Sequence, residues 1–309
     1  MAQKSIVVVA GGTGNLGGRI VAALLQRGAD VVVLVRPDSD NAKVEALRAR
    51  GARPVEVDMA DVDSIASACR GAGCVVSAVL GLRDVMVDAQ QQLVRSAIAA
   101  GVPRFIPSDY CLDFTKLDDG DNRNLDLHRA FKTWVDAQPI ATTSIFNGAF
   151  MDMLTGQAPF ILFRFQRVLY WRSADQILDF TTMDDTAAFT AAAALDPSTP
   201  RLLKISGDAI TSRGLAAVMT SLTGTPFRPQ WAGTLGTLKA MIAIGRLVHP
   251  APDEPFPAWQ GMQYSHNMFA GRAVLAPLDN GRYPDIAWTS ARDVLRDHLA
   301  TVSATSPQR

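Results

Sequence analysis

The chain has 309 residues, 48% of them apolar and 19% charged, with 30 basic and 30 acidic side chains and a formal net charge of zero. That length and apolar share fit a globular protein of one large domain or two sharing an interface. The charge balance argues against a broad electropositive face for nucleic acid or anionic lipid.

From the N-terminus, "MAQKSIVVVA" carries one lysine ahead of an apolar run and no cleavage-site pattern, so it reads as a buried strand and not a secretory signal. "NLGGRIVAALLQRG" follows as a helix. The alternation then repeats: "DVVVLV" with "NAKVEALRARG", "ARPVEVD" with "DVDSIASACRGA", "CVVSAV" with "VMVDAQQQLVRSAIAAG", "PRFIPS" with "NLDLHRAFKTWVDAQ", and "ATTSIFN" closing the series. Continuous Val/Ile runs separated by helices require a parallel sheet covered on both faces. The expected fold class is α/β, a Rossmann-type doubly wound sheet of six or seven strands over residues 1–150.

Beyond residue 150 the rhythm breaks. "RVLYWRSADQILDFTT" predicts a hairpin across Ser173 to Asp175, "MDDTAAFTAAAALD" a helix capped by an aspartate, and "RLLKISG" a strand. Helices and Pro-rich turns then lead to a closing helix near "SARDVLRDHLA", and disorder is expected only in "TVSATSPQR". Residues 151–309 are therefore expected to form a smaller mixed α/β domain covering the substrate, with 177–205 returning to the large sheet. The longest late apolar stretch, "GTLKAMIAIGRLV", is interrupted by Lys239 and Arg246 and is too short and charged to span a bilayer. A cytoplasmic protein is expected. Cys69, Cys74 and Cys111 show no CxxC spacing and the histidines are scattered, which points to buried thiols and no metal.

The chemistry begins at "VVVAGGTGNLGGRI". Gly11, Gly14 and Gly17 form G-x-x-G-x-x-G between a strand and a helix: the first permits the tight turn, the second lets a pyrophosphate approach, and the third lets helix and strand pack. Free amides at the helix N-terminus, with the positive dipole end behind them, face the anion. Gly12 and Leu16 belong to the same loop, and Thr13 and Asn15 add side-chain donors. At the end of the second strand, where an NAD enzyme places an acid, "VLVRPDSD" offers Arg36, which suits the 2′-phosphate of NADP(H). Lys43 can add a second charge, while Asp38 or Asp40 can instead pair with Arg36. Asp58 with Met59, and Ser77, Ala78 and Val79, end the third and fourth strands, positions that either hold adenosine and ribose or act as caps and loop residues.

On the helix after the fifth strand, His128 and Lys132 share one face. Lys132 is either a ribose-holding, proton-transferring group or a solvated surface lysine. The series GGTGNLG, LVRP, VDMAD, RFIPSDY, HRAFK and SIFNGAFMDM resembles the NmrA-like and isoflavone-reductase-like branch of the atypical short-chain dehydrogenases, over nearly the whole chain. The resemblance implies that Phe150 lies over the nicotinamide, beside Asn147 in the cofactor set. It also implies that His128 stands where ordinary members carry the tyrosine of Y-x-x-x-K, and that Lys132 is the general acid or base. Tyr110, placed after the fifth strand, is either a further proton donor or a residue packed under the pocket. For the second half, Phe150, Met153, Tyr170, Trp171, Phe180, Trp259, Tyr264 and Met268 are possible walls for a flat aromatic substrate, each more often core than pocket. His266 reads as a hydrogen-bonded structural histidine. The expected protein is an NADPH-dependent reductase of a small aromatic or phenylpropanoid-like substrate, a monomer or homodimer. The alternative is a non-catalytic NADP(H)-sensing regulator acting through a protein partner.

Overall fold

In the computed structural model, which describes residues 5–305, the buried valine runs pair as the alternation requires. Ile6–Ala10 (β1), Asp30–Val35 (β2), Arg53–Glu56 (β3), Cys74–Ser77 (β4), Arg104–Ile106 (β5) and Ala141–Thr142 (β6) form a six-stranded parallel sheet in the order β3-β2-β1-β4-β5-β6. The order reverses between β1 and β4, which opens the crevice where ligands bind in doubly wound sheets. The connecting helices are Asn15–Gln26 (α1), Asn41–Ala49 (α2), Val62–Cys69 (α3), Gln90–Ala99 (α4) and Arg123–Val135 (α5).

Side chains alternate across the sheet. Val7 and Val9 pack with Ile20, Val21 and Leu24 of α1, while Val8 and Ala10 pack with Ile65, Leu93 and Phe131 on the opposite face. This two-faced burial is why the strands are apolar throughout.

After β6, Ser144–Phe146 (β7) continues the edge and Ala149–Phe150 (β8) leaves it. Ile161–Leu162 (β9), Arg167–Trp171 (β10) and Leu178–Thr181 (β11) follow, then Met183–Leu195 (α6) and Leu202–Lys204 (β12). β12 pairs in parallel with β7, and α6 packs on α1, so residues 183–204 lie with the large sheet. Arg104 of β5 fixes this docking, donating to the carbonyls of Ala194 (3.1 Å) and Ala193 (2.8 Å) at the negative end of α6. The cap of α6 is Thr182, whose hydroxyl accepts from the Asp185 amide, and not the expected aspartate.

The hairpin predicted across Ser173 to Asp175 does not form. β10 pairs with β9 and with Arg228–Gly233, whereas β11 pairs with β8 and with Asp208–Ile210 (β13). Arg172 adopts a left-handed φ of 63° and Asp175 is held by Arg213, so the connection swings one strand out of the other's sheet.

Ser212–Thr223 (α7), Arg228–Gly233 (β14), Leu235–Val248 (α8), Ala258–Ala270 (α9) and Ala291–Thr305 (α10) complete the chain. They enclose a separate core in which Phe160 packs against Phe180 and Phe269, and Trp171 against Phe269. Of the tail expected to be disordered, Thr301–Thr305 belong to α10, and 306–309 lie outside the described residues. No helix of the described residues is long and apolar enough to cross a membrane.

Candidate functional site

The three motif glycines meet three different constraints. Gly11 has φ 81°, and a Cβ there would stand 2.4 Å from the Ala78 carbonyl oxygen. At Gly17 a Cβ would stand 2.1 Å from the Gly11 carbonyl oxygen, which fixes how closely α1 sits under the loop. Gly14 is different. It heads α1, is exposed, and would bring its Cβ near one protein atom alone, the Gly11 oxygen at 3.2 Å. No side chain caps α1 and no acid occupies its first turn, so its leading amides are open to an anion.

These residues fit the phosphate bridge of a dinucleotide. The Asn15 side-chain oxygen Oδ1 accepts from Arg19 Nε at 3.0 Å, which leaves Nδ2 of the same amide as a donor. A cavity of about 850 Å³ opens from Gly12, Thr13, Gly14 and Asn15 and runs between α1, α2 and α6, with Lys43 on its wall. Leu16 lies half-buried behind the loop.

Arg36 ends β2 in a turn closed by Ser39. Its Nε is 3.5 Å from Asp38 Oδ1, both side chains being mostly exposed, a pairing worth little. Asp40 is occupied differently, capping α2 through the Ala42 and Lys43 amides. Asp58 accepts from the Ala60 amide at 2.8 Å and shapes the turn after β3, where Met59 is half-buried. Ser77 is wholly buried with its hydroxyl unpaired, the Ala78 amide bonds to the Ala10 carbonyl, and the Val79 carbonyl accepts from Ser108 Oγ. Asn147 is also wholly buried, its Nδ2 on Thr186, and Phe150 is half-buried in β8.

The loop after β5 is held from two sides. Gln90 of α4 accepts from the Ser108 amide at 2.9 Å, and Ser108 Oγ donates to the Val79 carbonyl at 2.7 Å. This places Asp109, wholly buried, 2.8 Å from His128 Nδ1. His128 stacks on Phe114 and its Nε2 makes no hydrogen bond among the described residues.

A helix joining two parallel strands runs antiparallel to them, so the first turns of α5 lie at the carboxyl edge of the sheet. Lys132, one turn further from that edge than His128, has its Nζ 2.6 Å from Asp136 Oδ2. Burial alone would raise the Asp136 carboxyl. The hydrogen bonds from Lys132 and Arg201 outweigh it and hold the group below its ordinary value. Tyr110 is buried in the core beneath α6, and burial pushes its pKa far up. His128 and Asp109 are thus brought together, while Lys132 and Tyr110 each occupy a separate environment.

Of the aromatic and methionine walls, Trp171, Phe180, Trp259 and Met268 are buried core, and Phe150, Met153, Tyr170 and Tyr264 are half-buried. Burial raises all three thiols, Cys74 to about 12 and Cys69 to about 11. His266 is buried but not hydrogen-bonded as expected: its Nε2 has no partner among the described residues. Burial, with help from Lys239 and against Asp121, lowers its pKa below 6.5. The unfolded chain therefore binds this proton more readily. Its stability cost is absent above pH 6.5 and grows as pH falls below that value. Melting temperature is expected to fall across that range, and His266→Gln to flatten the decline.

Gln90 and Arg201 were not marked by any sequence pattern, and Asp109 and Ser144 fell inside RFIPSDY and SIFNGAFMDM without being singled out. The nearest signal was the RFIPSDY segment itself.

The match to known proteins agrees with this architecture. The model of the NmrA-like family matches residues 3–283. Pinoresinol reductase 2 of Arabidopsis thaliana is 31% identical over 211 residues, 64% of this chain and 67% of that protein. A bifunctional pinoresinol-lariciresinol reductase of Linum usitatissimum is 26% identical over 95% of this chain and 98% of its own length. Among solved structures, AtPrR2 with NADP+ and (+)pinoresinol superposes with a TM-score of 0.81 at 24% identity, over 96% of this chain and 100% of that one. A structure of pinoresinol-lariciresinol and phenylcoumaran benzylic ether reductases gives 0.83 at 19% identity, over 96% and 99%. With the family pattern running from the glycine loop through the 3-2-1-4-5-6 sheet into the second core, the chain belongs to the NmrA-like family.

Proposed function

We propose that the chain reduces a phenylpropanoid-type aromatic substrate and that His128, more than Lys132, delivers the proton. It is an NADP(H)-dependent oxidoreductase: the relatives matched over most of its length are named reductases, and the structure of like fold named above holds NADP+. The observation that carries the proton assignment is the buried His128–Asp109 hydrogen bond at the carboxyl edge of β5. Lys132 is already committed to Asp136, so donation from it requires breaking an ion pair.

NADPH, when bound, supplies the hydride. The leading amides of α1 hold its phosphate bridge and Arg36 its 2′-phosphate. As an electrophilic substrate carbon gains the hydride, its bonding pair to oxygen moves onto that oxygen. The Nε2–H bond of the His128 imidazolium then breaks, the oxygen takes the proton, and the pair stays on Nε2. Asp109 supports the imidazolium beforehand and orients the neutral ring afterwards.

The test is NADPH consumption, followed by absorbance, in the presence of pinoresinol and related lignans. Substrate-dependent oxidation is expected, with NADPH bound at least about tenfold more tightly than NADH and Arg36→Ala removing most of that gap. Equal affinities sink the Arg36 assignment. NADPH bound but never oxidised across the panel points to the sensing alternative.

A further inference from the structure

A chain of hydrogen bonds leads away from the His128–Asp109 pair to the edge of the sheet. Ser144 of β7, wholly buried, has its Oγ 2.6 Å from Asp109 Oδ2. Arg201, just ahead of β12, places Nη1 2.7 Å from the same Oγ and Nε 2.7 Å from Asp136 Oδ1. Lys132 completes the series on Asp136 Oδ2. Five side chains beyond His128 are thereby joined, from the loop after β5, from β7, from the segment ahead of β12 and from the end of α5, and Arg201 reaches the others because β12 returns beside β7.

We propose that Arg201, acting through Ser144, is a positioning residue that sets the polarity of this chain and so fixes which ring nitrogen of His128 carries the exchangeable proton. It rests on His128 as the proton carrier proposed above. The argument is one of donors and acceptors. A guanidinium only donates, so Ser144 Oγ must accept from Arg201. A hydroxyl has one proton, and with Arg201 supplying the other bond that proton goes to Asp109 Oδ2. Asp109 Oδ2 is then an acceptor, with the Arg201 guanidinium one hydroxyl away from it. Its remaining partner, His128 Nδ1, carries a hydrogen and donates to Oδ1. When the ring is neutral, Nε2 is the bare nitrogen; when it is protonated, Nε2–H is the donor that points away from the carboxylate. Without Arg201, Ser144 can turn its proton elsewhere, and the protonated ring can pass its Nδ1 proton to Asp109 Oδ1, leaving a neutral ring whose remaining hydrogen is on Nε2.

The side-chain nitrogen spectrum of the four histidines reads this directly in protein labelled with ¹⁵N, without substrate or turnover. His128, assigned by its loss in His128→Asn, is expected in the Nδ1–H form when neutral. In Arg201→Ala and in Ser144→Ala, the Nε2–H form is expected to appear alongside it. With turnover, both variants are expected to lower kcat by about tenfold, KM and NADPH affinity staying within a few fold, the loss of one charge-assisted bond. Guanidinium added to Arg201→Ala restores both the spectrum and the rate, which a packing defect does not do. An Nε2–H tautomer in the native protein overturns the proposal. So do Arg201→Ala and Ser144→Ala variants that fold, as judged by their melting curves, and keep the native tautomer. Should the spectra behave as expected while no substrate is turned over, the polarity argument stands and the reductase reading fails.

Discussion

Gly17→Ala and Gly18→Ala, adjacent substitutions in one helix, are expected to shift stability in opposite directions, and Gly14→Ser to separate stability from cofactor binding. Alanine gains about 0.5–1 kcal/mol over glycine inside a helix. At Gly18 a Cβ approaches the Gly12 carbonyl oxygen at 3.4 Å, an ordinary contact, so that gain is realised. At Gly17 the Cβ would lie 2.1 Å from a backbone oxygen that no rotamer change can move. Overpacking of this kind costs about 1–3 kcal/mol or more and outweighs the propensity. Gly14 has φ −80° and ψ 171°, extended values that serine adopts freely, at the cap position where serine is preferred to glycine. Gly14→Ser is therefore expected to leave the melting temperature unchanged or slightly raised. The same side chain satisfies the amides that otherwise face the phosphates and occupies the open side of the loop. NADPH affinity, measured by calorimetry, is expected to fall at least about tenfold, one charge-assisted interaction or more. Binding as tight as in the unmodified protein would remove the α1 terminus from the site.

This separation of roles among glycines within eight residues of the first strand explains why so much of the cofactor half was readable. Most of the constraints there are local: the strand ends, the chain turns with positive φ at Gly11, and the helix begins at Asn15, while the Ala78 carbonyl that closes the space at Gly11 comes from further along the chain. The sheet was legible for a related reason, since valines facing both helical layers leave a continuous apolar run with no other fold to serve. Beyond residue 150 the strands have two to six residues and pair with partners far along the chain. Nothing in "RVLYWRSADQILDFTT" says that its two apolar runs enter different sheets. The H-x-x-x-K spacing told which face the two side chains share, but not what each one meets. One clue was present and unused: Asp136 lies four residues after Lys132, the spacing of a helical ion pair. Asp109 and Ser144 fall inside the RFIPSDY and SIFNGAFMDM segments, but nothing in those segments says that they meet each other, His128 or Arg201, which strand order brings together.

Removing His128 is expected to cost far more catalysis than removing Lys132, and the comparison decides which of them moves the proton. General acid catalysis by a positioned side chain contributes about 10²–10⁴-fold, so kcat of His128→Ala should fall by that order while NADPH binding changes little. Alanine, however, also leaves the buried Asp109 without its Nδ1 partner, at a cost of about 1–3 kcal/mol in stability. His128→Asn avoids this confusion, since its amide N–H can keep the bond to Asp109 but has no ionisable proton to give. Recovery of stability in His128→Asn without recovery of rate isolates the chemical role from the structural one. Lys132→Ala removes one of two cations from Asp136, and Arg201 Nε remains at 2.7 Å to hold that carboxylate. The partly exposed ion pair is worth about 1 kcal/mol or less, which converts to less than about tenfold in rate if all of it reached the transition state. Were Lys132 the acid, the order would invert: its loss would take about 10²–10⁴ from kcat, and His128→Asn would lose only what a misaligned neighbour costs.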